Sequence, residues 1–208
     1  MYTDGFMCFP YINTSPSNRY IISDTHLGHK RLSSFRRLKK SDGSLLSSEE
    51  QNEMVLEHLS LIPKKATLFL LGDIAFDKHW LDRIKATPCR NKILVVGNHD
   101  LDRGTVTMRD LVDTYDQVYS LHKYKNYWLS HAPIHPTELR GKKNIHGHTH
   151  HYLMLDENGV PDSNYINVCC EYTGNKPIPW EYAISDEYYQ ECLIKWKHHM
   201  KEIDDETV

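Results

Sequence analysis

The stretch Lys92-Ile93-Leu94-Val95-Val96-Gly97-Asn98-His99-Asp100 begins as an unbroken aliphatic run. That is the composition of a strand buried on both faces of a sheet. The run stops at a glycine followed by amide, imidazole and carboxylate side chains, groups that bind metals or move protons. Such an ending does little for the stability of a core strand. In open α/β sheets, ligands settle just beyond the carboxyl ends of the strands. Gly97 to Asp100 therefore reads as part of a site.

Four other runs close in the same way. Arg19-Tyr20-Ile21-Ile22-Ser23 leads to Asp24-Thr25-His26, and Thr67-Leu68-Phe69-Leu70-Leu71 leads to Gly72-Asp73. Tyr127-Trp128-Leu129-Ser130 leads to His131, and Asn144-Ile145 leads to His146-Gly147-His148-Thr149-His150. Each fragment alone is weak, since a D-x-H or G-D occurs widely and Asn98-His99-Asp100 could simply cap a turn. Their weight lies in the ordered set.

Working outward, the first half alternates strand and helix. Ser47 and Glu50 form a capping box, opening a helix over 48–62 with Val55, Leu59 and Ile62 on one face and Pro63 after it. Asp77 is an N-cap for a short helix that turns Trp80, Leu81 and Ile84 inward. Met108, Leu111, Val112 and Tyr115 share a face of a third helix, capped by Thr105 or Thr107. This alternation predicts α/β layers. Beyond it, short runs near 117–121, 126–130, 144–146, 151–155 and 164–170 predict a mostly β second half, with a hairpin at Asp156-Glu157-Asn158-Gly159. Residues 177–199 read as helical through Tyr188, Cys192 and Trp196. Residues 1–18 are a loose lead-in and 202–208 a frayed acidic tail. With 208 residues and no repeat or linker, one domain over 1–208 is expected.

Composition narrows the classes. The chain is 39% hydrophobic and 25% charged, with a net charge of −3, so its surface is not built throughout for nucleic acid. Its five cysteines lack C-x-x-C spacing and fit a reducing cytoplasm rather than a disulfide framework. No secretory signal or bilayer-length apolar run is present, and no membrane contact is expected. Residues 30–40 hold six basic residues and no acid, which reads either as a solvated surface or as a positive rim that attracts phosphate.

In an extended chain, residues i and i+2 point to one side, so Asp24 with His26, and His148 with His150, can each close on one ion or on neighbouring ions. Asp73, Asn98 and His131 add single ligands. Oxygen and nitrogen donors without thiolate suit Mn²⁺, Fe, Ni²⁺ or Zn²⁺, and of these Mn²⁺ is the expected metal. Seven ligands exceed one tetrahedral ion but fit two if a carboxylate, here Asp73, bridges. Two ions about 3.5–4 Å apart clamp an in-line displacement at phosphorus and provide a bridging hydroxide as nucleophile. His99, beside the ligand Asn98, is expected to protonate the leaving group, held by Asp100.

With these residues in hand, the chain resembles the calcineurin-like metallophosphoesterase superfamily. Its D-x-H, G-D, G-N-H-D/E, single His and G-H-x-H blocks correspond to Asp24-Thr25-His26, Gly72-Asp73, Gly97-Asn98-His99-Asp100, Ser130-His131 and Gly147-His148-Thr149-His150. The resemblance implies a four-layer αββα sandwich, two mixed sheets flanked by helices. It implies Asp24, His26, Asp73 and His150 around one metal, and Asp73, Asn98, His131 and His148 around the other. His99 would be the acid, oriented by Asp100. Small bacterial and phage members also share His29, Arg140-Gly141, Ile166-Asn167-Val168 and Lys176-Pro177-Ile178, which implies that His29 and Arg140, with Asn98, face the substrate phosphate. The chain departs from that pattern at Val168-Cys169-Cys170-Glu171 and in its longer C-terminal extension. The expected function is a phosphodiesterase or phosphomonoesterase acting on a small phosphoester or nucleotide. The alternatives are a nuclease on DNA or RNA, whose affinity would fall steeply with salt, and an inactive metal-binding scaffold.

Overall fold

The computed structural model describes residues 17–102 and 105–206. The elements run β1 (Arg19–Ile22), α1 (Leu32–Arg36), α2 (Ser48–Ser60), β2 (Thr67–Leu70), α3 (Lys78–Lys85), β3 (Asn91–Val95) and α4 (Met108–Thr114). Then come β4 (Gln117–Tyr119), β5 (His122–Tyr124), β6 (Tyr127–Leu129), α5 (Pro136–Leu139) and β7 (Lys143–His146). The chain ends with β8 (Tyr165–Asn167), α6 (Cys170–Thr173), β9 (Ile178–Pro179), α7 (Trp180–Ala183) and α8 (Asp186–Glu206).

The strands form two mixed sheets. The first has the order β4-β3-β2-β1-β9, parallel except for β9, and the second has the order β5-β6-β7-β8, parallel except for β5. Because a strand alternates faces, Ile22, Leu68, Leu70 and Leu94 pack with Val55 and Leu59 of α2 and with Trp80 and Leu81 of α3. Their neighbours Ile21, Phe69, Leu71, Ile93 and Val95 pack with Leu129, Ile145 and Ile166 of the second sheet. Each such side chain contributes roughly 1.5–3 kcal/mol by leaving water. The first sheet thus lies between helices and the second sheet, as both-sided aliphatic strands require. Tyr188 and Cys192 of α8 close the inter-sheet core, and the Tyr188 hydroxyl donates to the Asn167 carbonyl at 2.7 Å.

The two sheets meet at their carboxyl ends. Ser23 pairs in parallel with Cys169, its amide donating to the Val168 carbonyl at 3.0 Å. Within the second sheet, the Gly147 amide donates to the His131 carbonyl at 2.8 Å and holds the ends of β6 and β7 together. This seam brings five strand ends, those of β1, β2, β3, β6 and β7, to one edge of the molecule.

The capping box at Ser47 and Glu50 and the Asp77 cap form as expected, and Thr107 rather than Thr105 caps α4. Other expectations need correction. The second half is not mostly β: its strands have three or four residues or fewer, and α5 to α8 lie among them. Residues 151–155 form no strand, because only Leu155 pairs, with Pro161 across the turn at Gly159. Within 164–170 the strand stops at Asn167 and α6 starts at Cys170. Met108 and Val112 are exposed while Leu111 and Tyr115 are buried, so the short α4 presents a narrower apolar face than its spacing allowed. The tail continues α8 as far as Glu206. Of the expected lead-in, residues 1–16 lie outside the described residues, as does Cys8. Among the described residues, no helix is long and apolar enough to cross a membrane. Cys89, Cys169, Cys170 and Cys192 are free and buried.

Candidate metal centre

The strand ends gather two groups of ligand atoms: Asp24, His26 and His150 in one, and Asp73, His131 and His148 in the other. In the first, His26 Nε2 lies 3.6 Å and His150 Nε2 3.9 Å from Asp24 Oδ1. Both Asp24 Oδ1 and His26 Nε2 are buried without any hydrogen-bond partner. An orphaned carboxylate oxygen beside an orphaned imidazole nitrogen costs free energy unless something lies between them. Neighbouring ligands about 2.0–2.2 Å from one ion sit roughly 3–3.5 Å apart, and these separations are close to that. The donor set fits a divalent cation.

In the second group, His131 Nε2 lies 2.9 Å from Asn98 Oδ1, 3.2 Å from Asp73 Oδ2 and 3.2 Å from His148 Nδ1. His131 Nδ1 donates to the Leu71 carbonyl at 2.8 Å, a bond across the seam. That bond leaves the Nε2 lone pair facing two oxygens and a nitrogen. Two oxygens and two imidazole nitrogens crowded in this way favour a cation among them, either a proton on a ring or a metal. With no metal, burial opposes the charged imidazole, yet Asp73 and Asp24 prevail and push the His131 pKa up to about 9. Burial also opposes the Asp24 carboxylate, but His26, His131 and His150 hold it well below its ordinary range.

The backbone at these residues is left-handed rather than extended. Asp24, His26, Asp73, His148 and His150 all have left-handed φ, between 47° and 69°. For non-glycine residues this region is sparsely populated and costs about 1–3 kcal/mol each, and it clusters at functional sites. The pairs are therefore not the extended i, i+2 arrangement expected from sequence. Asp24 and His26 do share one group, but His148 and His150 separate into different ones. Asp73 joins only the second group, so the bridging position expected for it is not seen in the grouping.

Glycines make the close approach workable. A Cβ on Gly147 would lie 2.0 Å from Ser23 Oγ and 2.2 Å from Asp24 Oδ2. A Cβ on Gly97 would lie 2.3 Å from Asp73 Oδ1. The carboxylates are fixed in turn: Asp24 Oδ2 accepts from the His148 amide at 2.9 Å and from Cys169 Sγ at 3.2 Å, and Asp73 Oδ1 accepts from the His99 amide at 2.8 Å.

Asp100 does not orient His99. It is buried and accepts from the amides of Asp73 at 3.1 Å, Ile74 at 2.9 Å and Gly97 at 2.7 Å, tying the β2 loop to the β3 loop. Three amides aimed at one carboxylate commit it to the backbone. His99 Nδ1 instead meets Asp102 at 2.5 Å. The His99 ring stands 6.0 Å from that of His26, at the rim of the first group. Asp102 was missed, although its i+3 spacing on the same loop was a usable signal.

His29 lies 6.4 Å from His26 between rings, close to the site. Arg140 is not brought in: it is exposed on the surface beyond α5 and pairs with Glu138 at 3.0 Å. The basic stretch is not simply a solvated surface either. Arg36 is buried against Glu171, Lys40 pairs with Glu50, and the Arg31 guanidinium lies over the exposed Phe35 ring at 5.5 Å.

The molecule is thus an α/β protein of two mixed sheets whose strand ends hold two carboxylate–imidazole groups. No family model matches the chain. It is 31% identical over 177 residues to the Gene 66 protein of Mycobacterium phage L5, an alignment covering 67% of this chain and 80% of the phage protein. The chain belongs to the family of that phage protein. Among solved structures, the protein of unknown function AQ665 from Aquifex aeolicus is similar, with a TM-score of 0.54 and 26% identity over 77% of this chain and 94% of its own.

Proposed function

We propose that the chain is a phosphoesterase dependent on two divalent cations, Mn²⁺ foremost, with the four-layer αββα sandwich of calcineurin-like metallophosphoesterases. The observation that carries this reading is the orphaned pair Asp24 Oδ1 and His26 Nε2 beside a second ligand group in which two oxygens face one imidazole nitrogen. Asp24, His26 and His150 would hold one cation, and Asp73, Asn98, His131 and His148 the other. When bound, such a pair supplies Lewis-acid stabilisation of phosphoryl charge and hydroxide near neutral pH. The chain contributes position and protons. Glu171 and the Leu71 carbonyl hold the Nδ1 atoms of His150 and His131, keeping each Nε2 directed inward. His99, at the rim and braced by Asp102, would give a proton to a departing alkoxide, which would favour diesters with poor leaving groups.

A nuclease reading has one observation in its favour. Phe35 is exposed, 5.6 Å from the His29 ring and under Arg31, which is an aromatic and cationic platform for a base next to a phosphate site.

The chain, stripped by chelator and reloaded with Mn²⁺, should hydrolyse bis(p-nitrophenyl) phosphate and lose that activity again in chelator. Asp73→Asn should abolish turnover. A fully loaded protein inert to aryl diesters, cyclic nucleotides and oligonucleotides would overturn the reading. Among active substrates, affinity that drops steeply with salt marks the nuclease.

A further inference from the structure

A buried ion pair lies outside the ligand set. Arg36, the last residue of α1, and Glu171, in α6, pair at 2.9 Å with side chains only 4% and 8% exposed. The guanidinium also donates from Nη1 to the Thr25 carbonyl at 3.2 Å and from Nη2 to the Asp24 carbonyl. The Glu171 oxygen that accepts from Arg36 also meets His150 Nδ1, at 3.1 Å. One ion pair therefore grips both segments of the first ligand group: the Asp24-Thr25-His26 turn through its backbone, and His150 through its ring.

Burying such a pair is costly. Desolvation takes several kcal/mol per ion, and well-packed apolar side chains of similar volume often serve stability equally well or better. An apolar pair cannot hold a proton on His150 Nδ1, and it cannot bond the two carbonyls of a left-handed turn. Fixing Nδ1–H leaves the Nε2 lone pair for a metal. In the second group, His131 is held instead by a backbone carbonyl.

We propose that Arg36 and Glu171 are positioning residues that assemble the first cation site by setting the His150 tautomer and the Asp24–Thr25 turn. The proposal rests on the two-cation reading above. It makes α1 part of the site's scaffold and gives the two cation sites separate controls.

The test is calorimetric titration of the stripped full chain with Mn²⁺ alone, read without any substrate. Arg36→Met/Glu171→Leu replaces the pair with apolar volume and should retain the wild-type circular dichroism. It should weaken one of two binding events by about 10–100-fold and leave the other unchanged. Where that double variant does not fold, Glu171→Gln, which keeps the shape, carries the same comparison. The imidazole ¹⁵N spectrum of the wild type, taken at a pH where His150 is neutral, should show it protonated at Nδ1 and bare at Nε2, with the proportions shifted in Glu171→Gln. Wild-type affinity at both sites in a folded variant, or a neutral His150 carrying its proton on Nε2 in the wild type, would overturn the positioning role and leave the phosphoesterase reading standing. A wild-type chain that binds no Mn²⁺ would sink both.

Discussion

His99 and Asp100 are adjacent in the chain but hold different positions. One imidazole edge meets Asp102 at the rim, and the Asp100 carboxylate is enclosed by three amides. Their substitutions should separate accordingly. His99→Ala should leave Mn²⁺ binding intact and slow an alkyl diester by about 10²–10⁴-fold. Esters with acidic leaving groups should lose much less, and steady-state rates on a graded leaving-group series check this; equal losses across the series would remove the acid role. Asp100→Ala should act on stability, because each buried amide left without its acceptor costs about 1–3 kcal/mol. In a chain of this size each kcal/mol lowers Tm by roughly 2–4 °C. Thermal melts in chelator should therefore show a clear drop for Asp100→Ala and almost none for Asp102→Asn.

At the scale of elements, the loops after the strands carry the strain and the helices carry the ordinary stability. Gly147→Ala pushes a methyl into Ser23 and Asp24. It should cost Mn²⁺ affinity along with fold stability, whereas loss of the α2 cap in Ser47→Ala should cost about 1 kcal/mol and leave metal titration unchanged. Parallel melts and titrations of the two variants distinguish the cases. Elements with strong local signals were legible from sequence: the two-sided strands β1, β2 and β3, the Ser47–Glu50 box and the Asp77 cap. The three-residue β5 and two-residue β9 were not, because strands that short draw their pairing from neighbours distant in sequence. The role of Arg36 was hidden for the same reason. A basic run looks the same whether its cations meet water or a carboxylate more than a hundred residues away.

For the whole molecule, two sheets sewn together at one edge bring imidazoles and carboxylates into close quarters with orphaned atoms and left-handed backbone. A cation that binds only the folded state should relieve this. At about 100 times its Kd it would stabilise by roughly 2.7 kcal/mol, so Mn²⁺ should raise Tm by several degrees over chelator. Asp24→Asn should blunt the rise, and melts across a Mn²⁺ series test both. A Tm indifferent to Mn²⁺ would leave the strain unexplained by metal.

Taken alone, the amino-acid order determined which groups could act and that they follow core strands, because apolar runs and their polar endings are local properties of the chain. It also determined that the donors are oxygen and nitrogen. Only the tertiary structure decided that Asp73 groups with His131 and His148 alone, that Asp102 rather than Asp100 faces His99, and that an arginine from a basic surface stretch lies buried beneath the centre. The physical reason is that side-chain direction at a loop depends on the sign of φ and on what packs across the seam. Both are settled when the sheets join, not by spacing along the chain.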